Sequence, residues 1–237
     1  MKIYRIAEMN IAVKAKYEDT YRYMQDFLTD SQDYELYIEP TDEMIRYEAE
    51  LGEEIHGDAG SPYICEAVAI LRVICDYIID KGGFFLHCSC LKYKDEAIIF
   101  TAPSGTGKST HSALWRRHFG DDVVMINDDK PLVREKDGRF YIYGTPWNGK
   151  HSIGNNTSAP IRSVVFLSQA PKNKAEPISP IDAMALLLQQ TVLPSDKAEL
   201  SKLLDMLGRL VENIPMYRLG CTISDEAVTT IYQEIYG

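Results

Sequence analysis

Long apolar runs are missing from this 237-residue sequence. No uninterrupted stretch approaches the roughly 20 residues that a membrane-spanning helix needs. A membrane partner is therefore not expected. Positive charge is also in short supply, with 25 Lys and Arg against 35 Asp and Glu and a net charge of −10. A nucleic-acid partner needs a basic surface to meet the phosphate backbone, so no nucleic acid is expected either. Negative charge leaves single nucleotides open, because one Lys, one metal ion and backbone amides suffice for a triphosphate. Cysteine is sparse and odd in number: Cys65, Cys75, Cys88, Cys90 and Cys221. All five lie inside apolar segments, which predicts reduced, buried thiols. The opening Met1-Lys2-Ile3-Tyr4-Arg5 lacks the apolar core of a signal peptide, and the expected compartment is the cytoplasm. Internal repeats and low-complexity tracts are also missing.

A hydrophobic fraction of 45% and a charged fraction of 25% are those of an ordinary globular chain, long enough to bury a sizeable core without staples. Residues 1–15 alternate like short strands, Ile3–Ile6 and Ile11–Val13. Tyr17–Phe27 reads as a helix and Tyr34–Ile38 as an edge strand. Thr41 caps a short helix expected to run to about Ala49. The polar stretch 52–60 is the best boundary, giving a small N-terminal α+β lobe over 1–60 and a larger domain over 61–237. Pro62 opens a helix that Gly82-Gly83 ends. A strand over Phe84–Leu91, a charged turn at Lys92–Glu96 and the strand Ala97–Phe100 follow. Val123–Ile126 is a further strand, and Lys136-Asp137-Gly138 marks a hairpin. Residues 144–160 read as a loop and Ile161–Leu167 as a strand. Helices start at Ser179-Pro180 and Ser224, with another carrying Leu200, Leu203, Leu204, Leu207, Leu210 and Ile214. Met216–Cys221 is the last strand. Arg116 and Arg117, in the last turn of a helix over Lys108–Phe119, complement its dipole. The sheet is expected to be mixed, with at least two hairpins.

The most informative stretch is Ala102-Pro103-Ser104-Gly105-Thr106-Gly107-Lys108-Ser109-Thr110, which matches the phosphate-binding loop pattern with Ala for the usual first Gly. A random chain of this length shows such a pattern about once in fifty, so context decides. Here an apolar strand precedes it and a helix follows. In that setting, loop amides and a helix N-terminus point at one spot and make an anion site. Ser104, Gly105, Thr106, Gly107, Lys108, Ser109 and Thr110 are the candidate nucleotide contacts, Lys108 meeting the β/γ-phosphates and Ser109 holding Mg2+. Ala102 does not readily take φ > 0, so the loop entry must have ordinary backbone there.

Asp128 and Asp129 end the next strand, where ligands of α/β proteins bind. Phosphoryl transfer needs a carboxylate to accept the attacking hydroxyl's proton and, commonly, a second group for the metal. Adjacent residues of a strand face opposite ways, so only one can easily be the base. Asp128 is assigned as base and Asp129 as metal or structural partner. The competing reading is a solvated turn before Lys130-Pro131. His87 lies on the expected strand Phe84–Leu91. His87-Cys88-Ser89-Cys90 hints at a metal, but no second Cys/His pair has matching spacing, and core packing is the better reading of the cysteines. Trp147, Asn148, Lys150 and His151 sit in a long loop that reads equally as a substrate lid or as an exposed turn.

These residues resemble the HPr kinase/phosphorylase-like family, which shares its nucleotide-binding core with phosphoenolpyruvate carboxykinase. The family's Gly-x-Ser-Gly-x-Gly-Lys-Ser is matched by Ala102–Ser109, its preceding His by His87, and its Ala-Asp-Asp-Arg by Asn127-Asp128-Asp129-Lys130. The resemblance runs from Phe84 to Asp129 and more loosely to Leu167. It implies an α/β fold with a P-loop on a mixed β-sheet and flanking helices, Asp128 as the acid/base residue, and catalytic roles for His87 and Lys108. His87 would lie near the γ-phosphate or orient Asp128. Gly144-Thr145-Pro146-Trp147-Asn148-Gly149-Lys150 stands where the family has an acidic signature, and is similar to small HPr-kinase-like proteins encoded near peptide-modification genes. Carboxykinase activity is not implied, since its further metal and oxaloacetate ligands have no positions here.

The expectation is a kinase that uses ATP or another nucleoside triphosphate with Mg2+ and phosphorylates a hydroxyl. The acceptor would be a Ser of a peptide or protein, or a small hydroxyl compound, and the enzyme a possible homo-oligomer. The alternatives are a nucleotide-binding sensor or assembly module and a plain NTPase.

Overall fold

The computed structural model describes residues 1–149 and 152–237. The chain divides into two compact units, Met1–Ile78 and Ile79–Gly237, so the helix that sequence analysis puts at the start of the second falls within the first.

In the first unit, β1 (Lys2–Ile6) and β2 (Met9–Val13) form an antiparallel hairpin. Its two-residue turn puts Ala7 and Glu8 at φ 48° and 65°. β3 (Leu36–Ile38) lies parallel to β2 at the edge of this three-stranded sheet. The expected helix over Tyr17–Phe27 is shorter, α1 (Glu18–Tyr23) followed by a 3-10 turn at Gln25–Phe27. α2 runs Asp42–His56, past the expected end at Ala49. Glu53 and Glu54 are good helix formers that carry it through Gly52. The stop is Gly57, left-handed at φ 67° with its amide on the Glu53 carbonyl. α3 (Pro62–Ile79) brings in the fully buried Glu66. Its carboxylate accepts from the Lys16 amide at 2.6 Å, the Tyr17 amide at 3.2 Å and the Thr20 hydroxyl at 2.5 Å. A buried charge is tolerable only with such partners, and here they also close the exposed start of α1.

The second unit is a mixed sheet between two helix layers. Its strands are β4 (Gly83–Phe85), β5 (Cys88–Tyr93), β6 (Glu96–Thr101), β7 (Val123–Asn127), β8 (Leu132–Lys136), β9 (Arg139–Tyr143), β10 (Ser158–Gln169), β11 (Lys174–Pro177) and β12 (Met216–Cys221). The order is β4-β8-β9-β10-β6-β5-β7, with β12 parallel to β10 and β11 on its far side. The helices are α4 (Lys108–Phe119), α5 (Pro180–Leu188), α6 (Lys197–Asn213) and α7 (Asp225–Tyr236). Ala97–Phe100 of β6 and Val164–Leu167 of β10 read as continuous apolar runs because both faces are covered there. On one side Ala97, Ile99, Val164 and Phe166 meet Leu187 of α5 and Leu203, Leu207 and Leu210 of α6. On the other Ile98, Phe100, Val165 and Leu167 meet Leu114 and Trp115 of α4 and Val228 and Ile231 of α7. No described helix is long and apolar enough to cross a membrane.

One expected strand is two. Phe84–Leu91 breaks at Leu86-His87, with β4 pairing β8 and β5 lying between β6 and β7. The local pattern is continuous, but the two halves find different partners. The break takes His87 off the regular strand: the Leu86 amide donates to the Pro131 carbonyl and the Cys88 amide to that of Asp129.

Candidate active site

Register brings three segments to one end of the sheet. β5 runs antiparallel to both β6 and β7, and Cys88 pairs Thr101 while Cys90 pairs Asn127. The loop after β6, the turn after β7 and the start of β5 therefore share that end. Between β6 and α4, Gly105 and Gly107 stand at φ 78° and 116°, and Gly107 is the residue before the helix. A Cβ built on either would meet nothing within 4 Å. Backbone conformation therefore calls for glycine here, and open space lies over the loop. Ala102 has ordinary backbone, as its identity requires. Ser104, Gly105 and Thr110 are exposed, and Thr106, Gly107 and Ser109 are partly so.

Lys108, the first residue of α4, is only 8% exposed. Its ammonium donates to the Ala102 carbonyl at 2.8 Å, folding the side chain back across the loop. Burial lowers its pKa, and the nearby Cys88, Asp129 and Asp128 oppose that fall. A charged amine is thus held largely out of water with too little compensation from the protein itself.

The two aspartates diverge. Asp128 is 7% exposed, and its Oδ1 accepts from the Ser89 hydroxyl at 2.6 Å. Ser89 also contacts the Ser112 hydroxyl of α4 at 2.6 Å. Asp128 lines a cleft of about 310 Å³ with Ser109, Thr110, Ser112, Ala113, Arg116, Met125 and Ile153. Asp129 is not in that lining. Its Oδ1 lies 3.2 Å from His87 Nε2, and its Oδ2 pairs with the Lys130 ammonium. Burial pushes the Asp129 pKa up, but the His87 hydrogen bond and Lys130 overcome it and hold the value down at about 2. That stabilisation is present above the unfolded carboxylate value near 3.9 and is lost as pH falls toward 2. Ser109 therefore shares the cleft with Asp128, not with the Asp129 expected beside it at a metal. His87 is set against Asp129 rather than Asp128.

Asn127 has a positioning role that sequence analysis passes over. Its Oδ1 accepts from the amides of Asp129 and Lys130, both at 2.8 Å, fixing the turn that separates the carboxylates. Its Nδ2 donates to the Thr145 carbonyl, the Thr145 hydroxyl and Asn148 Oδ1. The loop after β9 is thereby tied to the same turn. Trp147 is 2% exposed, a core residue rather than an open lid contact, and Asn148 is spent on Asn127. Gly149 packs against Asp129, where a Cβ would come within 2.9 Å of the Asp129 Cβ. Lys150 and His151 lie outside the described residues. Ser112, Ala113 and Arg116 were also missed, although with Ser109 they recur at i, i+3, i+4 and i+7, a helical stripe legible in sequence.

His111, on the other side of α4, is buried with its ring edge-on to Phe100. Trp115 Nε1 donates to His111 Nε2 at 3.2 Å, which puts the ring proton on Nδ1, buried without a partner among the described residues. Burial lowers its pKa to about 4. Above the unfolded value of 6.5 both states are neutral and stability is whole. As pH falls from 6.5 to 4 the unfolded chain takes a proton that the folded one refuses, at a cost of up to about 3 kcal/mol. Denaturant melts at pH 7.5 and 4.5 should show that loss, and His111→Gln, which keeps an acceptor for Trp115, should remove most of it. An unchanged pH slope in the variant would clear His111 of the effect.

The free cysteines are as expected, with Cys65, Cys75, Cys88 and Cys90 buried and Cys221 partly so. Among the described residues no group of three His, Cys, Asp or Glu side chains is placed to hold a metal.

A family model described as "ScmC: SynChlorMet cassette protein ScmC" matches residues 62–235, well over half of the sequence. The chain belongs to the ScmC family. The span matched to ScmC opens at the first residue of α3 and takes in the glycine loop, both aspartates and the cleft. No curated protein matches this ScmC chain. Among solved structures it is similar to the Hpr(Ser) kinase/phosphatase from Coxiella burnetii, at 12% identity over 63% of this chain and 95% of that one, with a TM-score of 0.34. A likeness so slight carries no argument about the ScmC fold or its chemistry.

Proposed function

We propose that this protein is a kinase that moves the γ-phosphoryl group of ATP, or another nucleoside triphosphate, to a hydroxyl. The observation that carries the reading is Asp128, a buried carboxylate that lines one cleft with Ser109, the residue after the buried Lys108. Pure nucleotide binding does not need a general base.

The amides of 104–109 and the Lys108 ammonium would hold the phosphates, with Lys108 exchanging the Ala102 carbonyl for phosphate oxygen. Asp128 would accept the acceptor's hydroxyl proton as that oxygen bonds to the γ-phosphorus. The bond from phosphorus to the β–γ bridging oxygen breaks, and the nucleoside diphosphate keeps its electron pair. Ser89 and Ser112 keep the Asp128 carboxylate oriented. The donor set fits Mg2+ arriving with the nucleotide, since that ion takes one or two protein oxygens plus phosphates and water rather than a protein cage. Ser109 would hold it together with phosphate oxygens and water, and when bound it would neutralise β/γ-phosphate charge. Asp129, already paired with His87 and Lys130, would act as a structural partner to the turn.

The test is acceptor dependence. With Mg2+ and ATP, nucleoside diphosphate should form in step with a phosphorylated acceptor, read by intact mass of Ser-containing peptides or small alcohols. Equally fast hydrolysis with no acceptor would instead make the protein an NTPase.

A further inference from the structure

One cation near the end of α4 is left without an ion pair among the described residues. Its neighbour Arg117 pairs with Asp225 at 2.6 Å, but Arg116 is in no ion pair among the described residues. Arg116 is partly buried, and its Nε is fully buried without a hydrogen bond. A buried donor without a partner costs stability, and this chain has 35 acidic residues from which to supply one. Arg116 instead lines the cleft that holds Asp128, on the same helical face as Ser109, Ser112 and Ala113. The dipole role expected for both arginines therefore suits Arg117 and leaves Arg116 over.

The geometry points to Arg116 as the anchor for the acceptor, and to an acceptor that is a Ser residue with an acidic side chain nearby. Its hydroxyl lies at Asp128 and its carboxylate on the Arg116 guanidinium, whose planar donors match a carboxylate two-pronged. This inference rests on the kinase reading. On that reading the γ-phosphate of the nucleotide already takes the Ser109 and Asp128 end of the same 310 Å³ cleft, so a monoanionic carboxylate at Arg116 meets less repulsion than a second, dianionic phosphate would. Ser109 and Arg116 are seven residues apart on one helix, a rise of about 10 Å. The α4 wall of the cleft is thus about as long as three residues of extended chain, so the acidic residue is sought within three positions of the Ser.

The experiment uses the full chain saturated with Mg2+ and a nonhydrolysable ATP analogue. The probes are Ser peptides in which a single Glu is walked from one to three positions on either side, each matched by a Gln peptide. Binding is read by titration, and transfer is read separately with ATP. At least one Glu peptide should bind tenfold or more tighter than its Gln match. Arg116→Gln should erase that preference with nucleotide affinity unchanged, and Arg116→Lys should restore part of it. Equal binding of Glu and Gln peptides at every spacing would overturn the inference, as would a preference that survives Arg116→Gln. Failure of the nucleotide analogue itself to bind would overturn the kinase reading and this inference together. Nucleotide binding with no charge preference would sink this inference alone.

Discussion

Replacing Lys108 with Ala is expected to weaken binding of a magnesium nucleoside triphosphate by at least about 100-fold in a calorimetric titration. Two charge-assisted hydrogen bonds to phosphate, at about 1.5–3 kcal/mol each, set that scale. Lys108 is suited to this because the protein satisfies it poorly. The residue is 8% exposed, burial lowers its pKa, and its ammonium donates to the Ala102 carbonyl. An anion on the loop would supply the missing partner. The fold should survive, since Ala is the best helix former and α4 stays anchored by Leu114 and Trp115. A folded Lys108→Ala protein with unchanged nucleotide affinity would remove the glycine loop from nucleotide binding.

Asp128→Asn separates chemistry from binding. Asn has the shape of Asp and an oxygen to accept from Ser89, so the Ser89–Ser112 contact and the cleft should persist. Asn cannot take a proton from an attacking hydroxyl. Phosphoryl transfer should fall on the order of 10²–10⁴-fold, the usual worth of a general base, while nucleotide affinity stays within a few-fold. Single-turnover transfer and a parallel nucleotide titration read the two effects. Unaltered transfer would remove Asp128 from the mechanism. A matched loss of nucleotide binding would recast it as a binding residue.

Much of this arrangement was legible because it is written locally. The bounds of α4 follow from a glycine needing φ > 0 at one end and Gly120 at the other, and the structure has the helix at Lys108–Phe119 as read. The hairpins at Lys94-Asp95 and Asp137-Gly138 likewise announce themselves, both pairs at positive φ. The divergence of Asp128 and Asp129 was expected from strand alternation, but both lie just past β7 in a turn that the Asn127 side chain sets. Pairings between distant segments were not legible. The break at Leu86-His87 exists because β4 and β5 pair with different strands, and no local pattern encodes that choice. The attachment of His87 to Asp129 follows from the break and was out of reach for the same reason. Trp147 looked like a surface residue because Gly, Asn and Pro surround it. Its burial depends on Asn127, a β7 side chain that holds Thr145 and Asn148 in place. The length of α2 was hidden by Gly52, which a helix can absorb.

The most direct measurement is a crystal structure of the protein with Mg2+ and a nonhydrolysable ATP analogue. The account predicts the triphosphate against the amides of residues 104–109, Lys108 turned from the Ala102 carbonyl to a phosphate oxygen, and the γ-phosphate facing the Asp128 side of the cleft. A nucleotide bound elsewhere, or a carboxylate of Asp128 facing away from the γ-phosphate, would contradict it.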